Sequence, residues 1–319
     1  MPSYPGISSE AFRHPLDRQA EQALRSVPGF DLVARKFVEF VYERPRYVYL
    51  MGNTIQVGVR QYSSIYQIFR ECLQSLDITI EPALFVSQAP SVNAYALGQE
   101  KPCVVLNSAL LDLVSETELR SVIAHELGHL KCGHTTLTQM AMWVNMAIAG
   151  LADFTFGLSN LISTGLLLAF YEWLRKAELS ADRASLLVMD DLNLVLSGMM
   201  RLAGGSLKYG HELSLEELIK QSDRYQALDE DQLNQFYKFS LYNDVQSGVF
   251  LTHPFTIERV RYLQEWSASS EFQQIKQGKY VRVGSEGSVE VETQPDEAEK
   301  LKRQIEELQK EIDRLKRTE

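Results

Sequence analysis

The sequence predicts a mainly helical α+β fold with one small sheet. Apolar residues recur at helical spacing in several long segments, while β-prone runs concentrate in one short region, residues 82–107. A third observation is a well-marked helix start at Ser115, with Glu118 three residues on, the pattern of a capping box.

In chain order, residues 15–43 read as helix, broken at Pro28-Gly29; the part FDLVARKFVEFVYER carries the clearest apolar stripe. Residues 47–59 alternate in part and contain Gly52 and Gly58, so a short hairpin or loop is expected. Residues 63–76 are an amphipathic helix. PALFVS, at 82–87, is a strand candidate, and NAYALGQEKPCVVLN holds two β-prone runs around Gly98, a hairpin signal. The helix capped by Ser115 should run at least to Leu130. A second long helix covers about 166–189, and polar short helices are expected within 206–247. Near the end, Leu301, Ile305, Leu308, Ile312 and Leu315 alternate spacings of four and three, a heptad seam with charged flanks.

Composition narrows the function. The 319 residues allow one large domain or two modest ones. A net charge of −10 argues against a general nucleic-acid binder, which needs a basic surface. Cys72, Cys103 and Cys132 are odd in number and widely spaced, so neither a disulfide framework nor a cysteine zinc knuckle follows. The first thirty residues lack the apolar run of a secretory leader, and a cytoplasmic address is expected.

The chemistry lies in SVIAHELGHLKCGH, residues 121–134. His125 and His129 stand four apart, so a helix turns both imidazoles toward one ion. Glu126 flanks the same face. This H-E-x-x-H arrangement offers two nitrogen ligands to zinc and a carboxylate that can take a proton from an attacking water. A catalytic zinc needs a third protein ligand. Glu178 can supply it, and Asp182, one turn on, can accept from the outer ring N–H of a ligating histidine, His125. The alternative for Glu178 and Asp182 is surface pairing with Arg175 or Arg183. His134 either sits near the site or holds the helix end. His14 and His211 carry no readable signal.

HELGH, then RKAELSAD, then THPFTIERVRYL resemble the zinc metallopeptidases that include the bacterial heat-shock protease HtpX, the CAAX prenyl endopeptidases and the mitochondrial protease Oma. The resemblance covers roughly residues 60–265. It implies a zincin-like domain binding one Zn2+ per chain, with His125, His129 and Glu178 as ligands, Glu126 as base and Asp182 behind a ligand. It implies that His253 either hydrogen-bonds the oxyanion or caps the zinc at rest. It also implies that Asn93, Ala94, Tyr95 and Ala96 lie on an edge strand that holds an extended peptide.

The expected organisation is an N-terminal helical region with a short hairpin (1–60) and a metallopeptidase domain (61–275). A linker (276–296) and a coiled-coil helix (297–319) follow. Within the domain, 137–172 forms an apolar helical hairpin. Residues 154–171 are 18 uncharged residues, at the lower limit for a membrane span, but five are Ser, Thr or Asn. A soluble body with peripheral membrane contact through 137–172 is therefore expected. The expected partners are a protein or peptide substrate and, through the heptads, a second copy or another protein. The rival reading is a zinc-binding scaffold whose protease site is latent.

Overall fold

The computed structural model describes residues 1–40, 43–148, 164–228 and 256–284. The expected coiled coil, most of the linker, and His253 lie outside these residues. Helix α1 (Pro15–Ser26) starts at His14, whose Nδ1 accepts from the Leu16 N–H at 3.1 Å, with Pro15 in the first turn. Helix α2 (Phe30–Phe40) follows the Pro28-Gly29 break. Helix α3 (Glu43–Asn53) and strand β1 (Ile55–Gln56) lead to α4 (Ser63–Ser75). Strands β2 (Ala83–Ser87), β3 (Ala94–Leu97) and β4 (Cys103–Asn107) complete the sheet. Helices α5 (Ser108–Leu113), α6 (Glu116–Cys132), α7 (Thr135–Ile148), α8 (Thr164–Met189) and α9 (Leu192–Gly204) follow. Then come α10 (Leu215–Gln226), α11 (Thr256–Ser267) and α12 (Ser270–Lys276).

The described strands form one mixed sheet in the order β1-β2-β4-β3. Strand β2 pairs in parallel with β4, and β3 pairs antiparallel with β4, Tyr95 opposite Val105. Every residue of β4 is buried, as a central strand covered on both faces requires. Strand β3 lies at an edge. Its hairpin turns at Gly98, where φ is +81° and a Cβ would meet the Lys101 carbonyl oxygen at 2.4 Å, so only glycine fits.

The expectation of a hairpin or loop over residues 47–59 does not hold. Helix α3 takes residues 47–53, and only β1 and a tight turn closed by Gly58 and Gln61 remain extended. Tyr47 and Leu50 are three apart and so share a helix face. They join Phe85, Leu97 and Val105 on one side of the sheet, and Tyr47 meets the Phe85 ring edge-on at 6.2 Å. That packing overrides the β-propensity of Tyr-Val-Tyr.

Two larger cores flank α8. Its second half, with α4, α6, α9, α11 and the other sheet face, builds the main core around Phe69, Ile123 and Leu187. Its first half, with α1, α2 and α7, builds another around Phe30, Val144, Phe170 and Trp173. The described ends of the apolar segment 137–172 thus bury their apolar faces against the N-terminal helices. Among the described residues, no helix is long and apolar enough to cross a membrane.

Helices α6 and α8 pack closely at Gly128. A Cβ on Gly128 would lie 2.7 Å from Ala184 Cβ and 3.0 Å from Ala181 Cα. Gly128→Ala should therefore lower the melting temperature, because an overpacking cost of about 1–3 kcal/mol outweighs the roughly 1 kcal/mol gained in helix propensity. Thermal unfolding followed by circular dichroism checks this. A melting point at or above that of the unaltered chain would refute so close a crossing.

Candidate metal centre

Helix α6 is fixed at both ends. Ser115 Oγ accepts from the Glu118 N–H (3.2 Å), Glu118 accepts in return from the Ser115 N–H (2.8 Å), and Gly133 ends the helix at φ +73°. The short crossing then sets His125 and His129 of α6 against Glu178 and Asp182 of α8. Ser121 and Ser185, 2.8 Å apart at Oγ, tie the same seam.

Three donor groups converge, the carboxylate turning one oxygen toward each imidazole. His125 Nε2 and His129 Nε2 are 3.2 Å apart, Glu178 Oε1 is 3.2 Å from His129 Nε2, and Glu178 Oε2 is 3.3 Å from His125 Nε2. Donors about 2.0–2.1 Å from a tetrahedral ion lie roughly 3.3 Å from one another, and the two imidazole nitrogens with the Glu178 carboxylate are spaced to hold one such ion. This is the one group of metal-ligating side chains among the described residues. Glu126, Tyr95 and Ala96 line the small cavity beside it. Ala94 and Ala96 are buried in the main core, where their small size lets β3 lie close to α6. Asn93, just before β3, accepts through its carbonyl from the Asn107 N–H at 3.0 Å.

Each histidine is held from behind. His125 Nδ1 is 3.0 Å from Asp182 Oδ1. His129 Nδ1 is 3.0 Å from His134 Nδ1, and His134 Nε2 is 3.0 Å from Asp17 Oδ2 in α1. A buried arginine that the motif reading did not single out, Arg259 of α11, bridges both α8 carboxylates. Its Nη1 donates to Glu178 (2.8 Å), and its Nε donates to Asp182 (2.7 Å). Arg175 instead pairs with Glu172 and Glu258, and Arg183 with Glu271. The structure thus brings together His125, Glu126, His129, Glu178 and Asp182, with β3 alongside. His253 is outside the described residues.

Burial is the largest single influence on His125, His129, Asp182 and Asp17, and charged partners oppose it. It would push the His125 imidazole down, but hydrogen bonds with Asp182 and Glu178 outweigh it and lift the group to about 10. For His129 burial prevails over Glu178, and repulsion from His125 adds to it, so this ring is pushed down. Burial also works to raise the Asp182 carboxyl, yet Arg259 and His125 hold it below its usual range. Asp17 is likewise held low, by His134 and Arg13 against burial.

Two histidines and a glutamate placed to hold one ion, with a second glutamate at the cavity, are the arrangement of a metallopeptidase. The pattern of peptidase family M48 matches residues 60–267. The chain is 32% identical over 273 residues to the plastoglobule-localized metallopeptidase 48 of Arabidopsis thaliana, covering 84% of this chain and 76% of that protein. It is 26% identical to a protease HtpX homolog of Helicobacter pylori J99, covering 64% of this chain and 66% of the relative. With an HtpX homolog of Polynucleobacter necessarius it shares 26% identity, over 70% and 80% of the two chains. The chain belongs to peptidase family M48.

The raised His125 has a consequence for pH. Its folded value lies above the unfolded value near 6.5, so its contribution to stability is full below ~6.5 and is lost as pH rises toward 10. Metal loading must expel that proton. Metal-free protein should therefore lose melting temperature between pH 7 and 10. Calorimetric titration with Zn2+ at pH 7.5, in buffers of different ionisation enthalpy, should read about one proton released per ion. Release near zero would mean that His125 is already neutral.

Proposed function

We propose that the chain is a zinc-dependent endopeptidase acting in protein quality control or processing. The observation that carries this reading is the donor triangle of His125, His129 and Glu178 beside a cavity lined by Glu126 and the edge strand β3. A bound zinc supplies positive charge that activates a water and polarises the peptide carbonyl. Glu126 accepts the proton of the attacking water and passes it to the leaving nitrogen as the C–N bond breaks. Asn93, Ala94, Tyr95 and Ala96 hold the substrate extended, its backbone laid along β3. By its resemblance, His253 is assigned to the oxyanion or to capping the zinc at rest. Glu126 is not needed to hold an ion, which supports catalysis over a scaffold role.

Peripheral association with a membrane surface is proposed from the apolar stretch of the sequence, segment 137–172. The heptads from Leu301 to Leu315 are proposed for self-association or partner docking.

Glu126→Gln should keep one zinc per chain and lower cleavage of an unfolded casein-like substrate by about 100-fold or more. His129→Ala and Glu178→Ala should instead drop the zinc content well below one per chain, measured by atomic emission after dialysis. Undiminished cleavage by the Glu126 variant, or full zinc in both ligand variants, would remove these assignments.

A further inference from the structure

The two nitrogens of His129 face different ways. Nε2 points into the donor triangle, 3.2 Å from both His125 Nε2 and Glu178 Oε1. Ligation through Nε2 leaves the ring proton on Nδ1. That proton lies toward His134 Nδ1 at 3.0 Å, which must accept it. His134 then carries its own proton on Nε2 and donates to Asp17 Oδ2 at 3.0 Å. The Asp17 carboxylate also accepts from Ser180 Oγ (2.7 Å) and from Arg13 Nε (2.8 Å) and Nη2 (3.2 Å). Asp17 is fully buried and His134 is 1% exposed, so water does not loosen this row.

The ligands are therefore backed unequally. His125 leans directly on a carboxylate, Asp182. His129 reaches its carboxylate only through a second imidazole. A hydrogen bond on the outer ring nitrogen fixes tautomer and ring rotation and makes the ligating nitrogen more basic. A carboxylate one ring further out polarises the intervening ring and strengthens that bond. We propose that Asp17, acting through His134, is a positioning residue for the metal ligand His129. Asp17 lies ahead of the matched peptidase segment, 60–267, so residues outside that segment complete the metal site. The inference rests on the proposed zinc reading of the site.

The test uses the full chain and Zn2+ alone. Affinity is measured by competition with a chromophoric chelator for the unaltered protein, Asp17→Asn, His134→Gln and the double variant. Each single change should raise the Zn2+ Kd about 10–100-fold. The double variant should lose no more than the worse single one, because the two residues act in series. A purely structural tie between α1 and the core predicts otherwise. The metal-free melting temperature would fall while the Kd stayed within about threefold of the unaltered value, which overturns the proposal. Additive losses would overturn it too. Should a variant fail to fold, the unaltered chain decides through 15N-histidine NMR of its zinc-loaded form. His134 protonated at Nε2 and bare at Nδ1 supports the relay, and a proton on Nδ1 overturns it. Failure of the unaltered chain to bind Zn2+ would remove the zinc reading first, and this inference with it.

Discussion

The distance at which α6 and α8 cross governs the site. Helices usually pack 8–10 Å apart, depending on the side chains between them. Here the seam is made of Gly128 against Ala181 and Ala184, with Ser121 and Ser185 further along. Each is small, and none holds the helices apart. The two histidines come from one side of this seam and the glutamate ligand from the other. A wider crossing would draw the Glu178 carboxylate away from the two imidazoles, now 3.2–3.3 Å from it, until no single ion spanned the three groups. The geometry of the centre is thus set by a packing contact that contains no ligand.

Close packing also creates an electrostatic difficulty. It gathers Glu126, Glu178 and Asp182 in buried space, where unpaired carboxylates are costly and like charges resist ionisation together. Arg259 answers this from a third helix, meeting Glu178 and Asp182 at once. With no metal bound, Asp182 and Glu178 favour a proton on His125, a second positive charge. An arriving ion displaces that proton but leaves Arg259 in place. The site therefore keeps the positive charge of Arg259 beside Glu178 and Asp182 with or without metal.

The parts legible in the sequence were those whose cause is local. The capping box at Ser115 and Glu118, the helical spacing of His125 and His129, and the Gly98 turn each depend on residues a few positions apart. Helix α3 was missed because its helicity comes from Tyr47 and Leu50 docking on a sheet formed later in the chain. Arg259 fell inside a motif recognised for its His-Pro pair. The available signal was an imbalance: three acidic groups assigned to one buried site called for a cation. Nothing comparable pointed to Asp17. Its partners His134 and Ser180 are 117 and 163 positions away, and no periodicity links them.

That separation bears on what the catalytic unit is. The family pattern begins at residue 60, yet α1 and α2 build one of the two cores that hold α8. Trp173, fully buried in that core, meets the His134 ring edge-on at 5.8 Å, one turn or so of α8 before Glu178. The N-terminal helices therefore touch the centre twice. They clamp the first half of the helix that carries the glutamate ligand, and they send a carboxylate behind the second histidine. A chain trimmed to the recognised segment would keep all three donor atoms in its sequence. It would lose the packing on one side of α8 and the far end of the row that backs His129. The folding unit of this metallopeptidase is therefore larger than the segment its motifs define.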